Sequence, residues 1–231
     1  MNVSLISYPS MNPDVLAGYA AALCYKNGDL KRSLNGAMDG GHTSVAEHGA
    51  FTFYIEGISR AALAQLTRHR IASFSVQSQR YVSMADDFEY VIPPSISEVL
   101  GDGAVEDYKR QMRLMHEWYC QWQERLNKAG IKGEKANQDA RFVLPNATCT
   151  TLLMTMNMRE LLHFFELRCC NRAQWEIREL AWRMLAQCKE IAPRVFRDAG
   201  PGCLRGRCPE GMRSCGRPYD REEQHGEDRA D

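Results

Sequence analysis

The sequence lacks a long apolar run, an excess of either charge and any internal repeat. Because no apolar segment reaches the length that crosses a bilayer, we expect no membrane-spanning helix. The first ten residues, MNVSLISYPS, have neither the basic start nor the apolar stretch of a signal peptide. The 29 basic and 29 acidic side chains cancel, which argues against electrostatic binding of nucleic acid by the whole protein. These absences predict a cytoplasmic protein that binds neither membranes nor nucleic acid.

The length of 231 residues is sufficient for one domain with a buried core. Nine cysteines would suggest disulfides in a small secreted chain. Here their number is odd and no export signal is recognisable, so we predict reduced thiols. From about Asp198 the sequence becomes rich in Gly, Arg and Cys and then polar. This change predicts a domain over residues 1–197 and a tail over residues 198–231.

The predicted tail contains enough potential ligands to raise the question of zinc. Cys203, Cys208 and Cys215 follow one another within it, and His225 lies beyond them. Their spacing differs from that of the closely paired cysteines in zinc knuckles. We therefore predict free thiols and no metal, and keep a zinc-stabilised interaction protein as an alternative.

Local patterns predict a mixture of helices and strands. Asn12 followed by Pro13, Ser59, and Asn157 followed by Glu160 are typical of helix starts. The predicted helices cover residues 12–24, 61–66, 108–126, 134–142, 157–170 and 177–191, with a loop over 25–44. The predicted strands cover residues 50–56 and 88–92. Since helices and strands do not alternate regularly, the predicted fold class is α+β, with helices packed on an antiparallel sheet.

The strongest local feature is the stretch 60–80, which holds four arginines and one histidine. No acidic residue occurs between Glu56 and Asp86, whereas solvated helix faces mix both signs. Arginine grips phosphate bidentately, and the Ser and Gln side chains of this stretch are good phosphate donors. The stretch therefore predicts a site for a phosphorylated ligand. A basic surface helix is the alternative, and RNA binding is less favoured because only Phe74 and Tyr81 add aromatic rings.

Within this stretch, residues 68–80 read RHR-x7-S-x-R, which resembles the signature of flavin-dependent thymidylate synthases, the ThyX family. Three further segments are similar to family motifs and occur in the same order. They are HTSVAEH at 42–48, RFVLPN at 141–146, and a C-terminal block containing NMR, LR and AQWEIR between 157 and 178. The resemblance covers roughly residues 40–195, and it implies a homotetramer with active sites shared between subunits.

The resemblance implies FAD as the cofactor. The residues that match flavin-contacting positions of the family are Ser44, Arg68, His69, Arg70, Val76, Asn157, Arg159 and His163. Many family members carry Gln or Glu where this sequence has Val76, so we expect only backbone contact there. His42 would lie near the folate and flavin.

The resemblance also implies deoxyuridine monophosphate (dUMP) as the substrate. The residues that match its binding positions are Gln65, Leu66, Thr67, Arg68, Val76, Gln77, Ser78, Gln79, Arg80, Arg141 and Arg168. Ser78 and Arg80 would hold the phosphate, and Arg141 would reach it from a neighbouring subunit. Arg168 is the expected catalytic residue, because a guanidinium beside the uracil stabilises negative charge at N3 and O4 and makes C5 nucleophilic.

The implied reaction is methylation of dUMP, with 5,10-methylenetetrahydrofolate as one-carbon donor and NADPH as reductant. In this family the reduced flavin supplies the hydride and no cysteine attacks the pyrimidine. The cysteines of this sequence have no obvious activating neighbour, which agrees with that chemistry. A nucleotide-sensing or nucleic-acid-binding module without catalysis remains the alternative.

Overall fold

The computed structural model describes residues 1–26, 28–86 and 88–219, and within these ranges the chain forms four strands and seven α-helices. The strands are β1 (Asn2–Ser7), β2 (Ala50–Ser59), β3 (Ala72–Val76) and β4 (Cys149–Asn157). The helices are α1 (Pro13–Tyr25), α2 (Leu30–Asp39), α3 (Arg60–Leu66), α4 (Asp102–Lys128), α5 (Glu134–Ala140), α6 (Met158–Arg168) and α7 (Trp175–Ile191). The strands form one antiparallel sheet in the order β1–β2–β4–β3. The predicted α+β class is confirmed.

The contacts of the chain define two compact units, each assembled from separated segments. The first unit contains residues 1–2, 55–68 and 75–152, and the second contains 3–54, 69–74 and the chain from 153 onward. All of their boundaries except that between residues 68 and 69 fall inside strands, so the units are not consecutive domains. Residues 198–219 belong to the second unit, and the boundary at 197 stays a prediction.

In the first unit, the predicted helices over residues 61–66 and 108–126 are confirmed, since they lie within α3 and α4. Ser59 Oγ accepts the Ala62 N–H at 3.0 Å and so caps α3, as its position predicts. The long helix α4 buries Tyr119, whose hydroxyl accepts the Met84 N–H at 3.3 Å. Met84, Tyr119 and Ala140 form a small buried cluster there.

The predicted strand over residues 88–92 is wrong. Only an isolated bridge between Tyr90 and Thr148 forms there. Pro93 and Pro94 follow directly, and neither can donate a hydrogen bond to a neighbouring strand. The β-branched and aromatic composition therefore yields one bridge and no ladder.

In the second unit, α1 begins as predicted, with Asn12 Oδ1 accepting the Val15 N–H at 3.2 Å. The predicted loop over residues 25–44 is wrong, because α2 occupies Leu30–Asp39. Asp29 caps α2 by accepting the Arg32 N–H at 3.0 Å. Burial of Leu34 and of the small residues Ser33 and Ala37 outweighs the poor helix propensity of the Asn and Gly within α2.

Aromatic rings link α6 to the core of the second unit. Phe196 lies 5.9 Å from both Phe51 and Phe165, measured between ring centroids. Phe165 contacts Phe164 at 5.7 Å, and Phe164 contacts the His69 ring at 4.9 Å. Since these rings interlock edge to face, they hold α6 and His69 in a fixed relation.

None of the helices within the described ranges combines the length and the apolar character needed to cross a bilayer. Among the same residues, no three His, Cys, Asp or Glu side chains are grouped closely enough to bind a metal ion. Cys203, Cys208 and Cys215 do not form such a group, and the absence of a metal stays a prediction. His225, which completes the set of potential ligands in the sequence, lies outside the described residues.

Candidate functional site

The residues predicted to bind dUMP are called the nucleotide set. They all lie in the first unit except Arg168. Gln65, Leu66, Thr67 and Arg68 form the end of α3 and the turn after it, and Val76 ends β3. The loop from 77 to 80 follows, and its start is fixed by the Gln77 N–H, which donates to Thr151 O at 2.9 Å. The Arg60 guanidinium donates to Gln77 O at 2.9 Å.

Arg80 is held by two residues of α5. Its guanidinium pairs with the Glu134 carboxylate, and Asn137 donates to its backbone oxygen at 3.0 Å. Gln123 of α4 in turn donates to Asn137 Oδ1 at 2.6 Å. Ser78 Oγ accepts the Arg80 N–H at 3.2 Å. The two predicted phosphate contacts are thus brought together on one ordered turn, with Arg80 half exposed. The sequence did not identify Glu134, which is 54 residues away.

Arg141 lies close to Arg60, a cation that the sequence placed in the basic stretch without a role. Burial lowers the pKa of Arg60, and the positive charge of Arg141 lowers it further. Arg141 Nε donates to Gln138 O at 3.2 Å. Two cations that oppose one another in this way favour an anion nearby, which is what the predicted phosphate role of Arg141 requires.

The residues predicted to contact the flavin are called the flavin set, and most of them lie in the second unit. This unit contains a cavity of about 700 Å³. Asn157, Arg159 and His163 line this cavity, together with Thr43 and Glu47 of the HTSVAEH segment. Arg159 pairs with Glu47.

The remaining members of the flavin set do not line this cavity. Ser44 is exposed in the 3₁₀ turn Thr43–His48, next to Thr43, and Arg70 is exposed next to Ile71, which does line it. Arg68 and Val76 belong to the first unit.

The cavity has the chemistry that a flavin dinucleotide requires. Apolar surface comes from Met38, Ile71 and Leu162, which suits an isoalloxazine ring. Four arginines line the cavity, Arg159 and three that the motifs did not identify, Arg194, Arg197 and Arg205. Carboxylates pair with Arg159, Arg197 and Arg205. Its volume lies within the range of ligand sites in proteins. The residues present therefore fit FAD.

Arg194 follows α7 and is placed by a buried carboxylate of α1. Asp14 Oδ2 accepts the Arg194 N–H at 2.9 Å, and Asp14 Oδ1 accepts the Val195 N–H at 3.0 Å. Arg197 pairs with Asp39 and Asp198. Arg194 and Arg197 are close together in the sequence, and this spacing is a signal that could have identified the segment as part of the site.

Arg168 is the last residue of α6, and Asn157 is the cap of the same helix. Asn157 Oδ1 accepts the Glu160 N–H at 2.8 Å, so the predicted helix start is confirmed. The Arg168 Nε donates to His69 Nε2 at 3.0 Å, and His69 Nδ1 lies 3.3 Å from Glu160 Oε1. The polar atoms of the buried His69 side chain are therefore engaged with α6, and its flavin contact stays a prediction.

Residues 201–219 pack against the loop that follows Arg168. A cavity of about 380 Å³ is lined by Arg168, by this loop and by these residues. Tyr219 donates its hydroxyl hydrogen to Asn171 Oδ1 at 2.7 Å, and Arg172 pairs with Glu210 at 3.0 Å. Arg172 had no predicted role, and the structure shows that it anchors this segment.

Comparison with known proteins identifies relatives over nearly the whole chain. A family model described as thymidylate synthase complementing protein matches residues 4–194. The chain is 46% identical over 230 residues to the flavin-dependent thymidylate synthase of Geobacter sulfurreducens, covering 94% of each chain. It is 41% identical to that of Clostridium tetani, again with 94% of each covered, and 47% identical to that of Nitratidesulfovibrio vulgaris, with 87% of this chain and 84% of the relative covered. The chain therefore belongs to the family of flavin-dependent thymidylate synthases.

Proposed function

We propose that this protein makes dTMP from dUMP, with 5,10-methylenetetrahydrofolate as one-carbon donor, FAD as cofactor and NADPH as reductant. Family membership supports the reaction, since the relatives are named flavin-dependent thymidylate synthases. The observation that carries the mechanism is Arg168, a half-buried guanidinium at the end of α6 whose Nε is fixed by a buried histidine.

Arg168 acts on the uracil by stabilising negative charge at N3 and O4, which makes C5 nucleophilic. Ser78 and Arg80 bind the phosphate and so place the pyrimidine. Arg141 adds a contact to the phosphate from a neighbouring subunit of a homotetramer. Asn157, Arg159 and His163 hold the flavin, which supplies the hydride when it is bound.

The test is a tritium-release assay with dUMP labelled at C5, the folate donor and NADPH, with and without added FAD. We expect tritium release and dTMP formation that depend on dUMP, the folate donor and NADPH, and on added FAD once the bound flavin has been removed. The purified protein should also show flavin absorbance. Flavin binding without tritium release would contradict the proposed reaction.

We predict that all nine cysteines are dispensable for the chemical step. Burial raises the pKa of the Cys169 and Cys188 thiols, so neither forms a thiolate readily. Cys120 lies 3.6 Å from His116 Nε2, which resembles a nucleophile and its base. That nitrogen, however, is within hydrogen-bonding distance of Met84 O at 2.8 Å, so it carries a proton and cannot accept one from the thiol.

The measurement is single-turnover methylation by each Cys→Ala variant after its flavin has been reduced. Rates within about twofold of the wild type are expected, because no thiolate takes part. One variant that is folded and flavin-loaded yet inactive would show that a cysteine acts on the substrate.

A further inference from the structure

His69 connects two residues of α6 that are eight positions apart. Its Nδ1 is 3.3 Å from Glu160 Oε1, and its Nε2 is 3.0 Å from Arg168 Nε. His69 is 5% exposed and Glu160 is 8% exposed, so water competes little for these bonds. The sequence assigned His69 to the flavin and Glu160 only to the start of a helix. Neither assignment accounts for this chain of three side chains.

The direction of both hydrogen bonds follows from the arginine. An arginine side chain has donors only and keeps its proton in proteins. His69 Nε2 must therefore accept from the Arg168 Nε–H. The imidazole proton is then on Nδ1, where it is donated to the Glu160 carboxylate. The opposite tautomer would place two N–H groups face to face.

Protonation of His69 would also break its hydrogen bond to Arg168, since Nε2 would then carry a hydrogen and could not accept. Burial lowers the pKa of His69, and the charge of Arg168 lowers it further, whereas the hydrogen bond and charge of Glu160 raise it. Among the described residues, the charged and titratable groups facing the ring are Glu160, His163 and Arg168, all on α6. The neutral ring is therefore the competent state.

We propose that Glu160 is a positioning residue for the methylation reaction. It holds His69 in the Nδ1–H tautomer, and His69 in turn fixes the plane of the Arg168 guanidinium through Nε. A guanidinium held in one plane does not have to be ordered when it meets the planar edge of uracil. The inference rests on the proposed role of Arg168.

The test is Glu160→Gln, which keeps the size of the side chain but can offer an N–H to His69 Nδ1. We expect kcat for dTMP formation to fall about 10- to 100-fold, with KM for dUMP and flavin content nearly unchanged. The fall is smaller than the roughly 10⁴-fold loss seen where a catalytic histidine is forced into the wrong tautomer, because His69 positions Arg168 and does not itself transfer a proton.

A pH profile separates positioning from a structural role. Because the Glu160 charge raises the pKa of His69, its removal should move the acid limb of kcat to lower pH. A purely structural role would lower thermal stability and leave this limb in place. Glu179→Gln is the matched control, since Glu179 is exposed on α7 and pairs with Arg183.

A double variant tests whether Glu160 acts through His69. In His69→Gln the amide oxygen can accept from Arg168 without help, so adding Glu160→Gln should change kcat little. Independent, multiplicative effects would overturn the proposal, as would wild-type kcat and pH profile in Glu160→Gln.

If Glu160→Gln does not fold, Glu160→Asp provides the test: its shorter carboxylate should lower kcat, and an unchanged kcat overturns the proposal. Failure of the wild type to form dTMP would instead reject the proposed function.

Discussion

Arg168→Lys is expected to retain the fold and FAD but to lower the rate of dTMP formation on the order of 10²- to 10³-fold. Lysine preserves the positive charge, yet its ammonium cannot present a planar pair of donors to the uracil edge. The structure adds a second reason for a large effect. The Nε–H that His69 accepts is absent from lysine, so the remaining charge is no longer fixed relative to α6.

The two half-reactions distinguish this role from a role in cofactor binding. Reduction of the flavin by NADPH does not involve uracil activation, so stopped-flow absorbance should show it largely unchanged in Arg168→Lys. Methylation measured after reduction should carry nearly all of the loss. Arg183→Lys on the exposed face of α7 is the matched control. A variant that reduces flavin slowly but methylates normally would place Arg168 on the cofactor side.

Three helix starts were predictable because their signals are local. A cap needs one side chain and a backbone N–H three residues later, and Asn12, Ser59 and Asn157 all make that bond. The helix pattern of α4 was equally readable, since its buried and half-buried residues recur along one face. These features depend on a few neighbouring residues and little on the rest of the chain.

The strands were harder to predict because their signal depends on burial. β4 alternates regularly, with Thr150, Leu152, Met154 and Met156 buried. Threonine and methionine are as common at other positions, so the alternation CTTLLMTMN is not recognisable from residue type alone. Pairing with β2 and β3 makes this segment a strand, and that pairing is not a local property.

The site was predictable as a list of motif residues, but not as an arrangement. The contacts that fix the arginines join residues far apart in the sequence, 54 residues for Arg80 with Glu134 and 99 for Arg168 with His69. No spacing rule relates such pairs. Glu134 and Glu160 therefore became recognisable only once the fold had placed these carboxylates beside Arg80 and His69.

Arg80→Ala is expected to weaken dUMP binding roughly 30- to 150-fold, while flavin retention stays the same. Loss of a charge-assisted contact to phosphate costs about 2–3 kcal/mol, and 1.4 kcal/mol corresponds to a factor of ten. Deoxyuridine, which has no phosphate, is the decisive comparison. Its binding should be nearly unaffected, so the variant should lose most of the preference for nucleotide over nucleoside.

The ion pair with Glu134 predicts a change in the opposite direction. The carboxylate competes with the phosphate for Arg80, so Glu134→Gln should tighten dUMP binding, by roughly two- to fivefold given the modest strength of exposed pairs. Isothermal titration of both ligands into Arg80→Ala, Glu134→Gln and the control Arg110→Ala, an exposed arginine of α4 paired with Asp107, measures all of these effects. Equal losses for dUMP and deoxyuridine in Arg80→Ala would mean that Arg80 supports the loop and does not bind the phosphate.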